Sequence, residues 1–195
     1  MKGFVEDRLS LHDAKVVTKF QTGNVRHQVR SWMAEGLDLM VIEIESDEPI
    51  PDLTMRLSIW VRPPDSPDIA PWFRGPPVTA SISDNDVSIT TVGFSKHNAV
   101  SLVAVPLEGQ VKTVQNDERT VTMTILSGNR KKLTILVANP LTAGTAVDNA
   151  AALATARDVI AKARAKGDEV LEKDHEAYWH GFWNKSCLLY TSRCV

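Results

Sequence analysis

Over its first 138 residues the chain alternates between apolar and polar positions. Met55, Leu57, Ile59 and Val61 are interleaved with Arg56, Ser58, Trp60 and Arg62, and a period of two lines up one face of a strand. Met40, Ile42 and Ile44 alternate with Val41, Glu43 and Glu45; Val121, Met123 and Ile125 alternate with Thr120, Thr122 and Thr124. Leu133, Ile135 and Val137 repeat the pattern beyond Ser127-Gly128-Asn129, which predicts a hairpin between these last two segments. Val25, His27 and Val29 make a weaker row before Trp32, and further strands are predicted over residues 14–20, 78–83, 87–92 and 99–105. Gly23-Asn24, Glu35-Gly36, Ser83-Asp84-Asn85-Asp86 and Glu108-Gly109 supply the turns. Nine or ten short strands with no helix between them predict a mainly β, antiparallel fold. Two half-apolar sheets bury their faces on each other as a two-layer β-sandwich.

After Asn139-Pro140 the period changes. Asp148 is placed to cap a helix running to about Lys166, with Leu153, Ala156, Ile160 and Ala163 on one face. Gly167 stops it, and a second helix follows from Asp168 to about Lys185. Its stripe of Leu171, His175, Tyr178 and Phe182, flanked by Trp179 and Trp183, is too apolar for a free surface helix and requires a packing partner. The chain therefore divides into a sandwich over 1–140 and a helical segment over 141–186. One loop breaks the β pattern. Residues 63–77 carry six prolines, which forbid a central strand, and loops of this length are commonly functional or disordered. Within it Trp72, Phe73 and Arg74 are the candidate binding residues. The aromatics can stack on a sugar ring or a partner surface, and the guanidinium can hydrogen-bond hydroxyls or carboxylates; alternatively the two aromatics fold back and cap the sandwich end.

Composition adds exclusions. A hydrophobic fraction of 43% supports a real core, and a formal charge of −2 gives no electrostatic case for nucleic acid or an anionic membrane. Arg130-Lys131-Lys132 falls at the predicted hairpin turn and reads as solvated. No apolar run approaches the roughly 18 residues of a membrane helix. Met1-Lys2-Gly3-Phe4 leads into Glu6, Asp7 and Arg8, which is not a signal peptide; a true start upstream of Met1 would leave localisation open. His175 and His180 suggest a zinc helix, but at i and i+5 they stand roughly 140° apart, whereas such a helix needs i and i+4. A packed aromatic helix with His175 inside and His180 nearer solvent is expected instead. Asp84-Asn85-Asp86 reads as a turn, since the longer acidic spacing of a calcium loop is missing. There is no Gly-x-Ser-x-Gly elbow, no P-loop and no dinucleotide fingerprint, and no two carboxylates are placed as an acid/base pair. No catalytic residue, metal or cofactor is expected.

The end of the chain is a separate matter. Cys187-Leu-Leu-Tyr-Thr-Ser192 is what TGT CTC TTA TAC ACA TCT encodes, a string that looks like the mosaic-end adaptor of transposon-based sequencing libraries. Residues 187–195 are accordingly expected to be translated adaptor, and the chain to be a truncated fragment. Both cysteines, Cys187 and Cys194, lie in that tail, so residues 1–186 offer no disulfide or thiolate chemistry.

The segment His-Glu-Ala-Tyr-Trp-His-Gly-Phe-Trp-Asn-Lys-Ser over 175–186 resembles a junction in large carbohydrate-active enzymes, where a helix leaves an N-terminal β-sandwich and the chain enters an (α/α)6 barrel. The family it resembles is glycoside hydrolase family 95, fucosidase-like, and its bacterial relatives. Arg8-Leu-Ser-Leu11, the run from Ala14 to Phe20, Val25 to Trp32 and Leu39 to Glu45 follow a similar order. The resemblance implies a β-supersandwich that buttresses a catalytic barrel. His175, Tyr178, Trp179, Phe182 and Trp183 would then be structural residues of the junction, and the partner would be the protein's own C-terminal catalytic domain. That family's catalytic carboxylates lie in the barrel, and no position here matches them; its members are often exported. The expectation is a non-catalytic N-terminal domain of a bacterial glycoside hydrolase, inactive alone. The alternative is a free-standing sandwich that binds carbohydrate or protein through the Trp72 loop.

Overall fold

The computed structural model describes residues 5–58, 78–83, 86–92, 98–143 and 148–185. Strands β1 (Val5–Ser10), β2 (Lys15–Thr22), β3 (Val25–Met33) and β4 (Leu39–Ser46) follow one another as an antiparallel meander. The chain then places β5 (Leu53–Ser58) in a second sheet and builds β6 (Val78–Ile82), β7 (Val87–Val92) and β8 (Asn98–Pro106). β9 (Gln110–Asp117) and β10 (Thr120–Leu126) join β5, and β11 (Lys132–Ala138) and the short β12 (Leu141–Ala143) return to the first sheet. The large sheet has the order β1-β2-β3-β4-β11-β8-β7-β6, with β12 also on β8; the small one is β5-β10-β9. Every pairing between them is antiparallel, as the alternation predicts.

The predicted hairpin between the 121–125 and 133–137 segments does not form. β10 pairs with β5 and β9, while β11 pairs with β4 and β8. The tight turn is there: Gly128 and Asn129 take φ of 57° and 64°, and the Arg130 N–H donates to the Ser127 carbonyl at 3.1 Å. Beyond it the chain is captured by β4 and its exit, where Ser46 N–H donates to Lys131 and Ile50 N–H to Arg130. The reason is burial. In one sheet the two apolar rows would share a face; across two sheets Val121, Met123 and Ile125 cover Leu133 and Ile135, and all five are at most 3% exposed.

A second core lies on the other face of the large sheet. Trp32, Leu39, Val41, Val103, Val105, Leu136 and Ala138 pack there against helix α1 (Asn149–Lys166) through Ala156, Val159, Ile160 and Ala163, and against helix α2 (Asp168–Lys185) through Leu171. The large sheet is thus buried on both faces over β4, β8 and β11, which explains why Leu133–Leu136 is buried continuously rather than alternately. The basic run at the turn is only partly solvated, because Lys132 reaches Asp168 at the start of α2 and Glu43 of β4.

Helix α1 begins and ends where its punctuation says, and α2 begins directly after its stop. The Asp148 carboxylate accepts the Ala151 N–H at 2.9 Å from an extended backbone (φ −123°, ψ 96°), which satisfies one of the free donors of the first turn. Gly167, at φ 78°, donates its N–H to Ala163 and closes α1. Asp86, just before β7, accepts two hydrogen bonds from Arg157 of α1, both at 3.0 Å. Asp148→Ala should cost about 1 kcal/mol, measurable as a lower urea midpoint at unchanged slope.

Candidate functional site

Helix α2 crosses the strands of the large sheet rather than running along them, and its sequence explains the path. Asp168, Glu172 and Glu176 recur every fourth residue, so they form one acidic row on one side of the helix. Cations on successive strands meet that row. Lys132 of β11 pairs with Asp168 at 3.0 Å. Arg30 of β3 donates to Glu172 at 2.9 Å, and Lys15 of β2 reaches Glu172 at 2.5 Å and Glu176 at 2.6 Å. Eight residues of helix span about 12 Å, and the three strand intervals from β11 to β2 span about 14 Å, so helix rise and strand spacing match.

Beneath the row sits Glu43 of β4, only 1% exposed, directly opposite Arg30 in the ladder. It pairs with Arg30, and with Lys132 at 3.1 Å. Lys15 is buried too, with its Nζ 5.2 Å from the centroid of the Trp32 ring. These carboxylates are each engaged by a cation and serve as anchors.

Burial works against the charge on Asp168, but the hydrogen bond and charge of Lys132 outweigh it, and its carboxyl lies below the ordinary value of 3.8. Burial also works against the charge on Lys132, but its hydrogen bonds to Asp168 and Glu43 and their charges outweigh it and hold the ammonium above its usual 10.5. A depressed carboxyl pKa stabilises the fold above the unfolded value and loses that contribution as pH falls through the folded one. Asp168→Asn should therefore be less stable than the parent above the ordinary carboxyl value of 3.8, and the gap should narrow as pH falls below it, as read from thermal midpoints across the acid range.

At its far end α2 meets the β1–β2 turn. His175 is 1% exposed and its Nε2 lies 2.9 Å from the Asp13 carbonyl oxygen; Trp183 donates its indole N–H to the Leu11 carbonyl at 2.5 Å. His180 Nε2 lies 2.9 Å from Asp13 Oδ1, and His12 Nδ1 lies 3.3 Å from the same oxygen. The Ser10 hydroxyl donates to Asp13 Oδ2 at 2.6 Å. That bond and then the His180 contact hold the Asp13 carboxyl well below the usual carboxylate range. Ala14, at φ 47°, closes the turn in a left-handed conformation. Beside His175 a cleft of about 430 Å³ opens between α2 and the β3–β4 turn, lined in part by Met33, Gly36, Leu37, Asp38 and Trp179. His175 Nδ1 is buried with no protein partner.

The sequence-predicted residues fall into two groups. His175 is inside and His180 nearer solvent, as the packed-helix reading expects. Trp179 and Trp183 are half-buried, whereas Tyr178 and Phe182 remain 48% and 44% exposed. From Tyr178 to Trp183 the aromatic rings form edge-to-face contacts with centroids 5.1–5.6 Å apart. Trp72, Phe73 and Arg74 lie outside the described residues, as do 187–195. Sequence reasoning missed His12, Asp13, Lys15, Arg30 and Glu43. The only signal in the sequence was the acidic row on α2, which demands cations somewhere on its partner.

No protein-family model matches the chain, and no curated protein matches it in sequence. Among solved structures the chain is similar to a human-microbiome protein assigned as a kojibiose phosphorylase, with a TM-score of 0.64 and 15% identity over 94% of this chain. It is also similar to a bacterial glucoamylase solved with acarbose, with a TM-score of 0.57 and 8% identity over 93% of this chain. At these identities the likeness is one of fold. The chain spans 26% and 29% of the length of those two proteins.

Proposed function

We propose that this chain is the non-catalytic β-sandwich region of a carbohydrate-active enzyme, a buttress for a catalytic domain that follows it, with α1 and α2 as the link. The observation that supports this most is the fit of nearly the whole chain onto 26% of a protein assigned as a kojibiose phosphorylase and 29% of a glucoamylase. The docking of α2 agrees with it. One side of the helix is pinned by ion pairs and Leu171, while Tyr178 and Phe182 on another side stay substantially exposed. A following domain is the natural cover for that aromatic edge. Within this reading, the 175–186 motif favours a fucosidase-like enzyme of glycoside hydrolase family 95, with the substrate handled in the barrel and the Trp72 loop as the sandwich's own contribution to a sugar surface.

Reading the source DNA past codon 186 tests the proposal. An open frame continuing for several hundred residues of helical sequence with paired carboxylates is the expected result. A native stop after Val195 would overturn it and favour a self-contained binding module. The purified chain should also release no sugar from α-glucosides or α-fucosides, with or without phosphate.

A further inference from the structure

We propose that His12, Asp13 and His180 form a binding site for a divalent transition-metal ion of the zinc type, joining the β1–β2 turn to helix α2. The three residues come from opposite ends of the sequence, yet each turns one ligand atom to a common point. His12 Nδ1, Asp13 Oδ1 and His180 Nε2 all lie within 4.8 Å of one another. Ligands around a tetrahedral zinc ion at bond lengths of about 2.0–2.2 Å stand about 3.4 Å apart. The two nitrogen-to-oxygen separations, 3.3 and 2.9 Å, are already close to that spacing. Side-chain adjustments of about an ångström complete the set, and the backbone need not move.

The donor set selects the ion. Two imidazoles and one carboxylate suit zinc, copper and nickel rather than calcium or magnesium, which take oxygen ligands. Ser10 holds the second carboxylate oxygen at 2.6 Å, which leaves Oδ1 for a metal, the kind of outer partner that orients metal-binding carboxylates. The two rings stack with centroids 4.1 Å apart and planes 27° apart, and each presents one nitrogen to the same Asp13 oxygen. The three side chains are 38–59% exposed, so an ion can enter and keep water in its fourth position. The sequence expectation of no metal weighed His180 only against His175; the fold gives it a different partner. A bound ion would fasten the same end of α2 that His175 and Trp183 already tie to Asp13 and Leu11.

The test is calorimetric titration of zinc chloride into the full chain, free of any histidine tag and carrying Cys187→Ser and Cys194→Ser. One equivalent should bind. Loss of an outer partner alone typically weakens metal sites 10–100-fold, so His12→Ala and His180→Ala should each weaken binding at least about tenfold. His27→Ala, opposite Phe20 at the far end of β2, should not. At a hundredfold excess over Kd the thermal midpoint should rise by about 5 °C or more, and this rise should vanish in both variants. Binding with no defined stoichiometry, or an affinity indifferent to His12 and His180, would overturn the site.

Discussion

Arg30→Ala should destabilise the protein by about 3 kcal/mol, and most of that loss should disappear when Glu43→Leu is added. The expectation rests on which partner stays behind. Arg30 is the guanidinium that reaches both the buried Glu43 and the Glu172 of α2, and it also lies 3.4 Å from Glu45. Its removal leaves a carboxylate that is 1% exposed with only Lys132 as counterion, and Lys132 itself is nearly half exposed. An uncompensated buried charge is what makes breaking such a pair costly, whereas removing both partners is often close to neutral. Glu43→Leu alone should be milder, because the cations it abandons can turn to Glu45, Glu172, Asp168 and water. Urea denaturation of the two single variants and the double gives the coupling energy directly. Additive losses would show that Arg30 and Glu43 do not depend on each other.

The elements with strong local chemistry were legible in the sequence. β10 keeps a clean alternation because one face meets a core and the other does not, and β4 was legible through the apolar row of Met40, Ile42 and Ile44, although both its faces meet a core. α1 begins and ends, and α2 begins, within a residue of expectation because Asp148 and Gly167 are specific about where a helix starts and stops. The misses have physical causes. β1 reads Val-Glu-Asp-Arg-Leu-Ser and is exposed over five of its six residues, so an edge strand with no buried row leaves no pattern to find. β9 carries only two valines, and β12 is three residues long. The hairpin between 121–125 and 133–137 failed because turn chemistry fixes the reversal of the chain and not which sheet receives the next strand. The site was half legible for a similar reason. The acidic spacing of 168, 172 and 176 is a local fact, but Lys132, Arg30 and Lys15 fall under it only once the order β11-β4-β3-β2 is known. His12 and His180 are brought together by the same docking.

Trp32→Ala should have the largest effect, about 3–5 kcal/mol, and should loosen α2 before the sheets. Trp32 is 3% exposed and stands opposite Val41 in the ladder, in the core that the large sheet shares with both helices. Its ring carries the Lys15 ammonium on one side and lies 6.4 Å from the His175 ring. Lys15 in turn holds Glu172 and Glu176, so truncation removes the apolar floor and the support of the cation above it. The cation–π contact adds about 0.5–2 kcal/mol to the cavity cost. Trp32→Phe separates these effects. The indole Nε1 is buried with no hydrogen-bond partner, so losing it removes an unsatisfied donor while most of the volume stays. That variant should cost under about 1.5 kcal/mol. Limited proteolysis distinguishes undocking from general weakening: in Trp32→Ala, cleavage between Gly167 and Lys185 should precede cleavage in β2–β4. If the sheet is cut first, or if the loss is under about 1 kcal/mol, α2 is held by its ion pairs and by the turn at Asp13 rather than by the tryptophan beneath it.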